Sequence, residues 1–493
     1  MYEDILKHHL AMHSRSVRSG DVFFAQDSRF VTEAVQNGAT MIVCAHQDEY
    51  AIQSMVPEIR TIAVENVMNA FYYCVRHKYP QGSTNLYAVT GTDGKSSVVN
   101  YFVQLTPLSA AIGTLGVSVS EDLCLSQDYD FKCTLTTPDC LTLHKIIHQL
   151  SEYTQRIAFE ASSHGLIQER VAALDMHAGV FTSFSTDHLD YHQTMENYLR
   201  AKMLLWQKYV NIDGYAIVNA DVERNWHVMC NIPQKNKIIY GNEHTVSQLD
   251  LTYAMATYRI IEQNRHSCTV LLHLDGKERL CTLPVICAWQ IENVFVAMIL
   301  AYLDGECIDT LCEKAEHIRA ITGRLERVAR IAHVDIFVDY AHTVGSVQSV
   351  LSQLPYDRKV LVMACAGNRC VQKREIMAQS AAQLCDVLII TDDNTRDEDP
   401  ADIRKQIYDS ACSCPKRRAK EVFSIAGRQN AIKFAVEFCI EAYNTADGDV
   451  ALIVAGKGHE QYQEICGERV LMSDHEIIRS VVRELSPAEM CLV

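Results

Sequence analysis

The stretch Leu86-Tyr87-Ala88-Val89-Thr90 runs into Gly91-Thr92-Asp93-Gly94-Lys95-Ser96. Glycines let a backbone turn its N–H groups toward an anion, a lysine neutralises phosphate charge, and a serine hydroxyl can ligate Mg²⁺. A helix beginning at the loop adds its positive end; Ser97–Leu105 has the composition for one. Val89 stands where the first glycine of the full Walker pattern would sit, so the loop is a shortened form, and a structural turn is the competing reading. Glu160 ends the apolar run Arg156–Glu160. A carboxylate at the tip of a strand beside the loop strand can hold Mg²⁺, or can simply be a polar strand terminus. The densest polar cluster is Phe181–His192, where His188 and His192 stand four apart. Without an H-E-x-x-H glutamate a zinc-protease site is a poor match; a loop histidine holding a metal near phosphate, or one merely hydrogen-bonded, fits better. Lys202 falls in a helical stretch, Tyr198–Leu205, and taken alone says nothing, because most helix lysines are solvated.

These residues need elements to hold them, and three regions supply them. Residues 1–84 carry short strand patterns at Val22–Ala25, Met41–Ala45 and Thr61–Val64, then a turn-rich linker at 79–85. Residues 85–320 alternate strands (Leu86–Thr90, Arg156–Glu160, Ala178–Thr182, Tyr215–Asn219) with helices, the pattern of a mostly parallel sheet. From Ile321 a third α/β region has strands at Val334–Asp339, Lys359–Ala364, Val387–Thr391 and Val450–Ala455. Glycines and charges gather just past these strand ends, where open α/β sheets bind ligands.

The 493 residues are 48% hydrophobic and carry 45 basic against 61 acidic side chains, a net charge of −16. That balance argues against a general nucleic-acid binder but not against anionic small substrates. The apolar stretch Val294–Leu303 is too short for a membrane span and fits a core helix. The N-terminus lacks a signal-peptide core, and the chain reads as cytoplasmic. Nineteen cysteines occur without a paired CxxC framework, as expected of small buried hydrophobes in a reducing compartment.

Taken together the stretches resemble the Mur ligases, ATP-dependent amide-forming enzymes of peptidoglycan assembly, and among them the branch that adds the third residue to UDP-N-acetylmuramoyl-dipeptide. The carrying stretches are HSRSVRSGDVFFA, VTGTDGKSS, AAIGTLGV, TTPD, EASSHGLIQERV, VFTSFSTDHLDYHQTMENY, AK at 201–202, NAD at 219–221, ITGRLERV, VDYAHT, DDNTRDEDP and AGKGHEQYQ, in family order. The resemblance implies an α/β fold of three domains: a uridine-nucleotide-binding N-terminal domain (1–84), a central P-loop ATPase domain (85–320) and a Rossmann-like C-terminal domain (321–493).

It also implies roles. Gly91, Thr92, Asp93, Gly94, Lys95, Ser96 and Ser97 would hold ATP phosphates, with Asn293 and Asp339 at the adenosine and Arg324 at the γ-phosphate. Ser96 and Glu160 would hold one Mg²⁺; His188 and a carbamylated Lys202 would serve a second. Thr136, Thr137, Ser162, Gln168 and Arg170 would hold UDP-MurNAc-L-Ala-D-Glu, with Ser14 and Arg15 at the uridine. Arg369, Asn394, Arg396, Gly456 and Glu460 would frame the diamino acid. Catalysis would rest on Lys95, Glu160, His188, Lys202 and Arg324, in a monomer acting on neither nucleic acid nor membrane.

The acceptor is expected to be meso-diaminopimelate. The family's D-N-P-R reads Asp393-Asn394-Thr395-Arg396 here, and an arginine fork suits a distal carboxylate that lysine and ornithine lack. Loss of the proline keeps those two open. Further departures are Ala366-Gly367-Asn368-Arg369-Cys370 for G-G-D-R-D, Val344-Gly345-Ser346 for Pro-Asp-Ser, a short loop at FFAQDSRF, and NADV for NADD. Three other readings compete. A folylpolyglutamate synthetase has no uridine domain to match HSRSVRSGDVFFA. A non-catalytic paralogue has no need of Lys95, Glu160, His188 and Lys202. A motion-coupled P-loop NTPase has no use for Lys202 and GRLE.

Overall fold

The computed structural model describes residues 2–123, 133, 135–249, 252–369, 371–443, 448–485 and 491–492. Three sheets follow one another along the chain. The first is wholly parallel, in the order Leu10–Ala11, Val22–Phe24, Met41–Ala45, Arg60–Val64. Its first three strands are buried almost throughout, as parallel strands covered on both faces must be. The helix Val67–Lys78 covers it, capped by the Asn66 side chain and packing Phe71 edge-on to Phe24.

The central sheet has ten strands. From Ala254–Gln263 through Asn236–Asn242, Val210–Asn219, Met176–Phe181, Asn85–Thr90 and Arg156–Glu160 to Ser109–Gly113, every pairing is parallel. Antiparallel strands extend both edges: Cys268–Leu274 and Lys277–Leu283 at one, Gly116–Val119 at the other. The loop strand Asn85–Thr90 lies between Arg156–Glu160 and Met176–Phe181, with Val89 opposite Glu160 and Thr90 opposite Phe181. Three chain segments therefore leave the sheet at the same end and height: the phosphate loop, the turn after Glu160, and the polar stretch after Phe181. Helices Lys95–Leu105 and Ala288–Leu303 share one face and its core. The second contains the apolar run Val294–Leu303; among the described residues no helix is long and apolar enough to cross a membrane.

The third sheet runs Glu421–Ser424, Val387–Ile390, Arg358–Met363, Val450–Ala455, Val334–Asp339, Glu326–Ile331, Cys491–Leu492. It is parallel up to Val334–Asp339 and antiparallel beyond. A separate hairpin, Tyr462–Ile465 with Glu468–Leu471, stands outside it.

The fold is thus mixed α/β with mostly parallel sheets. The expected strands are present with ends unchanged or moved by at most two residues, except that Tyr215–Asn219 is the end of a longer strand beginning at Val210. The helix expected from Ser97 starts at Lys95 instead. Gly94, at φ +91°, is its N-cap, which brings Lys95 and Ser96 into the first turn.

Candidate active site

The phosphate loop is shaped by its glycines and stitched to the neighbouring strand end. A Cβ on Gly91 would lie 1.9 Å from Thr182 Oγ1, and one on Gly94 would lie 2.6 Å from Asn293 Oδ1. Thr92 N donates to Ser183 O (2.8 Å), Asp93 N to Ser183 Oγ (2.9 Å), and Thr182 Oγ1 to Asp93 O (2.5 Å). Lys95 folds over the loop and donates to Gly91 O (3.0 Å) and Thr92 O (2.8 Å). Ser97 is buried in the first turn behind it.

Lys202 lies directly beneath, on the helix Met195–Leu204 that Thr194 caps. Its side chain is 1% exposed. Its Nζ donates to Gly91 O (2.6 Å), sits 4.5 Å from the centroid of the Tyr198 ring, and makes no ion pair with any described residue. Burial, reinforced by nearby Lys95, drives its pKa well below the ordinary value. The neutral amine, the nucleophilic form of a lysine, is therefore favoured here.

The two histidines of the H-x-x-x-H spacing do not face one ligand. His192 turns inward and meets Ser163 Oγ at 2.9 Å. His188 adopts the left-handed conformation (φ 51°), stands edge-on to His164, and keeps Nε2 3.5 Å from the Asp187 carboxylate. Burial and the two lysines outweigh Asp187 and push its pKa down to about 4. A neutral imidazole at neutral pH is the metal-ligating form.

Glu160 is 1% exposed. Its carboxylate accepts from Thr114 N (2.7 Å) and Thr114 Oγ1 (3.2 Å) and is paired with no lysine or arginine among the described residues. The Thr114 hydroxyl continues to Thr136 Oγ1 (3.1 Å). Thr137 Oγ1 bridges Glu160 O and Ser162 Oγ, and Ser162 caps the short helix Ser163–Ile167. Arg170 donates to Thr137 O (2.8 Å) and Gln168 Oε1 (2.5 Å). Thr136, Thr137, Ser162, Gln168 and Arg170 thus form one polar ledge beside Glu160.

The C-terminal region closes on the loop from the other side. Arg324 Nη2 donates to Ser96 Oγ (3.1 Å), and its guanidinium stacks on Tyr340 at 4.5 Å. Its Nε is buried without a partner. Asp339 accepts from Leu325 N and Ala341 N, both at 2.6 Å, and burial raises its pKa to about 6 against the opposing pull of Arg324. Those bonds make Asp339 the anchor of the turn that aims Arg324. Gly323 (φ +66°) permits the approach: a Cβ there would lie 2.3 Å from His459 N.

The remaining predicted residues form two further groups. Gly456, Glu460, Asn394 and Arg396 gather around Lys457, which is wholly buried and donates to Asp393 Oδ1 (3.3 Å), Asn394 Oδ1 (2.9 Å) and Glu460 Oε2 (2.7 Å). Burial alone would raise the Asp393 carboxyl, but Lys457 and Arg428 hold it low. Arg396, left-handed at φ 50°, donates Nη1 to Gly367 O (2.6 Å). Arg369 points away from this group to Asp190, 3.7 Å off on the short helix Leu189–His192. Far from both, Ser14 donates to Glu33 Oε2 (2.5 Å) and Arg15 lies exposed 3.6 Å from the same carboxylate, so the two share one acidic partner on the N-terminal helix Val31–Gln36.

Residues 89–301 match the Mur ligase middle domain, and residues 323–458 match the Mur ligase, glutamate ligase domain. The UDP-N-acetylmuramoyl-L-alanyl-D-glutamate–2,6-diaminopimelate ligase of Rickettsia rickettsii is 34% identical over 499 residues, covering 97% of this chain and 96% of its own. The ligase of the same name from Rickettsia montanensis is 35% identical over 494 residues, with the same coverage. The chain belongs to the Mur ligase family. A solved structure of a ligase of that name superposes with a TM-score of 0.63 at 26% identity, covering 97% of this chain and 95% of the other.

Mur ligases are ATP-dependent amide-bond-forming enzymes that use Mg²⁺, and the chemistry of this donor set fits both. The loop offers a helix N-terminus and Lys95. Glu160 is a buried carboxylate without a cationic partner among the described residues, and burial pushes the His188 pKa down to about 4. The departures from the family pattern are absorbed locally. In Val344-Gly345-Ser346 the serine completes a capping box with Thr343. In the 366–370 stretch, Gly367 keeps its glycine because a Cβ would lie 1.9 Å from Thr395 O; Cys370 lies outside the described residues. The short loop at FFAQDSRF is closed by Asp27, which accepts from Arg29 N.

Sequence reasoning missed three parts of this Mur ligase site. Thr182 and Ser183 brace the loop, and a T-S pair at the end of a strand was their only signal. Lys457 centres the 393–396 turn; its signal was a lysine in a glycine turn following a wholly buried strand. Asp393 pairs with Lys457, and its place in the D-N-T-R stretch is its only signal in the sequence.

Proposed function

We propose that this Mur ligase joins an amine of 2,6-diaminopimelate, the meso form, to the terminal carboxylate of UDP-N-acetylmuramoyl-L-alanyl-D-glutamate. One observation carries the reading. Full-length relatives bear the name of that reaction, and in this chain Lys95, Glu160, His188, Lys202 and Arg324 converge on one cleft between the second and third sheets. We assign residues 1–84 to the uridine nucleotide, 85–320 to ATP and 321–493 to the acceptor, in a cytoplasmic monomer.

In this reading the loop N–H groups and Lys95 hold the ATP phosphates, with Asn293 and Asp339 toward the adenosine. Ser96 and Glu160 would hold one Mg²⁺; His188 and Lys202, as a carbamate, would serve a second. Such ions supply positive charge where anionic groups must meet. The neutral Lys202 amine adds to CO₂, forming an N–C bond and releasing one proton, which converts a buried base into a carboxylate.

The ledge of Thr136, Thr137, Ser162, Gln168 and Arg170 orients the dipeptide so that its terminal carboxylate attacks the γ-phosphorus and ADP leaves. Positioning and electrostatics do most of this work. Arg324, reaching Ser96 from the third sheet, neutralises charge on the transferring group. The acceptor, framed by Asn394, Arg396, Gly456 and Glu460, with Arg369 at the mouth, then brings its amine onto the acyl carbon. Inorganic phosphate departs and the amine proton is lost to solvent.

The test is phosphate release with ATP, Mg²⁺ and the UDP-dipeptide, against meso-diaminopimelate, L-lysine, L-ornithine and no amino acid. Release with meso-diaminopimelate alone, with the tripeptide product by mass, is the expected result. Release with L-lysine or L-ornithine instead would overturn the acceptor assignment, and release with none would overturn the ligase reading.

A further inference from the structure

The start of the strand Glu326–Ile331 grips the central region at two points three residues apart. Arg324, just before the strand, reaches Ser96. Arg327, within it, donates Nη1 to His266 Nδ1 (2.8 Å). His266 lies on the turn between the strands Ala254–Gln263 and Cys268–Leu274, at the antiparallel edge of the central sheet. Asn264 fixes that turn, its Oδ1 accepting from His266 N (2.8 Å) and Ser267 N (3.0 Å). The adjoining Arg265 pairs with Asp449, at the foot of the strand Val450–Ala455. Between the two grips Leu325 shares a buried apolar cluster with Ile286 and Cys287 of the central region, and Gln263 Nε2 donates to Ile286 O (2.6 Å).

An apolar contact has no direction, so the Leu325 cluster holds the C-terminal region without fixing its angle; the polar grips on either side of it do that. Arg327 and Arg324 are on the order of 10 Å apart along the chain, and the residues between them are tied. Leu325 N donates to Asp339, and Glu326 accepts from Gly323 N (2.8 Å) and meets His475 (2.7 Å). A shift at Arg327 is therefore passed on to Arg324. The charges facing the turn are Arg327 and Arg330 with Asp335 and Asp449. Buried Asp335 takes Arg330 (2.8 Å), Arg327 (3.5 Å) and the Tyr356 hydroxyl (3.0 Å), and Asp449 takes Arg330 (3.2 Å) besides Arg265. Arginine only donates, so His266 accepts from Arg327 and must be neutral to do so. Burial, with Arg327, Arg330 and Arg265 nearby, lowers its pKa against the pull of Asp335.

We propose that the turn 264–267 is a positioning element: Arg265 and His266 hold the C-terminal region at the angle from which Arg324 meets the transferring phosphoryl group. The inference rests on the ligase reading above and adds to it two residues that touch no substrate. Their effect falls on kcat, because Arg324 counts where charge develops in the transition state, and KM for the diamino acid stays nearly unmoved. The grip is complete while His266 is neutral and is lost as pH falls through its depressed pKa. Protonation then removes the acceptor of Arg327 and adds a cation beside Arg327, Arg330 and Arg265.

His266 is exposed and Arg265 half-buried, so replacing them spares the core. With the full-length enzyme, kcat and KM would be measured for Arg265→Asp, Arg265→Lys, His266→Ala and His266→Gln. Arg265→Asp and His266→Ala should each lower kcat about threefold to tenfold, with KM for the diamino acid little changed. Arg265→Lys should keep most of the rate. His266→Gln, whose amide oxygen accepts at any pH, should stay near wild type and flatten the acid limb of the kcat profile. In an Arg324→Ala background the turn variants should lower kcat no further. Full additivity there would overturn the proposal, as would an unchanged kcat in both Arg265→Asp and His266→Ala. Small-angle scattering of the substrate-free protein reads the grip without activity. Arg265→Asp should broaden the distance distribution and Arg265→Lys should not; a profile for Arg265→Asp identical to wild type would also overturn it. Wild type that ligates no diaminopimelate would mark failure of the ligase reading itself, with the scattering comparison still deciding the grip.

Discussion

Two lysines in this molecule are equally hidden and opposite in company. Lys457, in the third domain, meets two carboxylates and an amide. Lys202, beneath the phosphate loop, meets one backbone carbonyl and the face of a tyrosine. Burying a charge is expensive unless it is paired. Lys457 pays that cost back through architecture, holding Asp393, Asn394 and Glu460 in one arrangement. Lys202 makes no ion pair among the described residues, the charges of Asp187 and Asp93 offset its burial only in part, and its pKa falls well below the ordinary value. The contrast teaches how to tell a structural buried lysine from a reactive one: by counting anions, since burial alone does not separate them.

The comparison can be broken most sharply by activity. Lys202→Ala should lower ligation by about 10²–10³-fold or more, the scale of losing one preorganised charge at a reacting phosphoryl or acyl centre. High bicarbonate should not rescue it; near-normal rates would end the carbamate assignment. ¹³C-bicarbonate should give the wild type a carbamate resonance that this variant lacks.

Acceptor recognition comes next. Arg396→Ala should raise KM for diaminopimelate by about ten- to a hundredfold, the loss of a charge-assisted bond, with far less change in KM for ATP. Equal effects on both would show that Arg396 does not read the acceptor.

Stability then separates the two lysines directly. Lys457→Met should destabilise by about 3–5 kcal/mol, because it strands buried carboxylates. Lys202→Met, in CO₂-free buffer, should be neutral or stabilising by about 1–3 kcal/mol, since it removes a buried ionisable group. Denaturant titration of both variants decides it, and equal losses would erase the distinction.

The smallest effect is a slope. The pKa of Lys202 is depressed on folding, so the unfolded chain binds its proton more tightly. Its contribution to stability is full above the ordinary lysine value of 10.5 and is lost as pH falls toward the depressed value. Wild-type stability should therefore carry a rising component with pH across that window, absent in Lys202→Met. A slope shared by both would assign it to other groups.

Much of this was legible in the sequence because the chemistry demands particular residues. Gly91 and Gly94 sit where a Cβ would strike Thr182 and Asn293, so no other residue serves, and their spacing announces the loop. Glu160 was readable because a polar residue ending an apolar run marks the open end of a parallel sheet. What stayed hidden depended on conformation or on distance. Nothing local says that His188 turns left-handed while His192 folds inward to Ser163. The antiparallel strands between 268 and 283 extend the central sheet, yet their alternation (Cys268–Leu274 buried at every second residue) looks the same in any half-covered strand. Glu464, on the hairpin strand Tyr462–Ile465, lies 68 residues from Arg396, and only the docking of that hairpin on the turn makes them neighbours.

The close approach of Gly323 to the turn at Gly458 has a consequence for heredity. Gly458 in its turn leaves only 2.8 Å between a notional Cβ and Gly323 O. Two motifs separated by more than a hundred residues of chain therefore share a single van der Waals boundary. A recombinant that took TGRLE from one relative and GKGHE from another would inherit two halves of a joint shaped in different lineages. Viable crossovers in this domain should fall where both turns travel together.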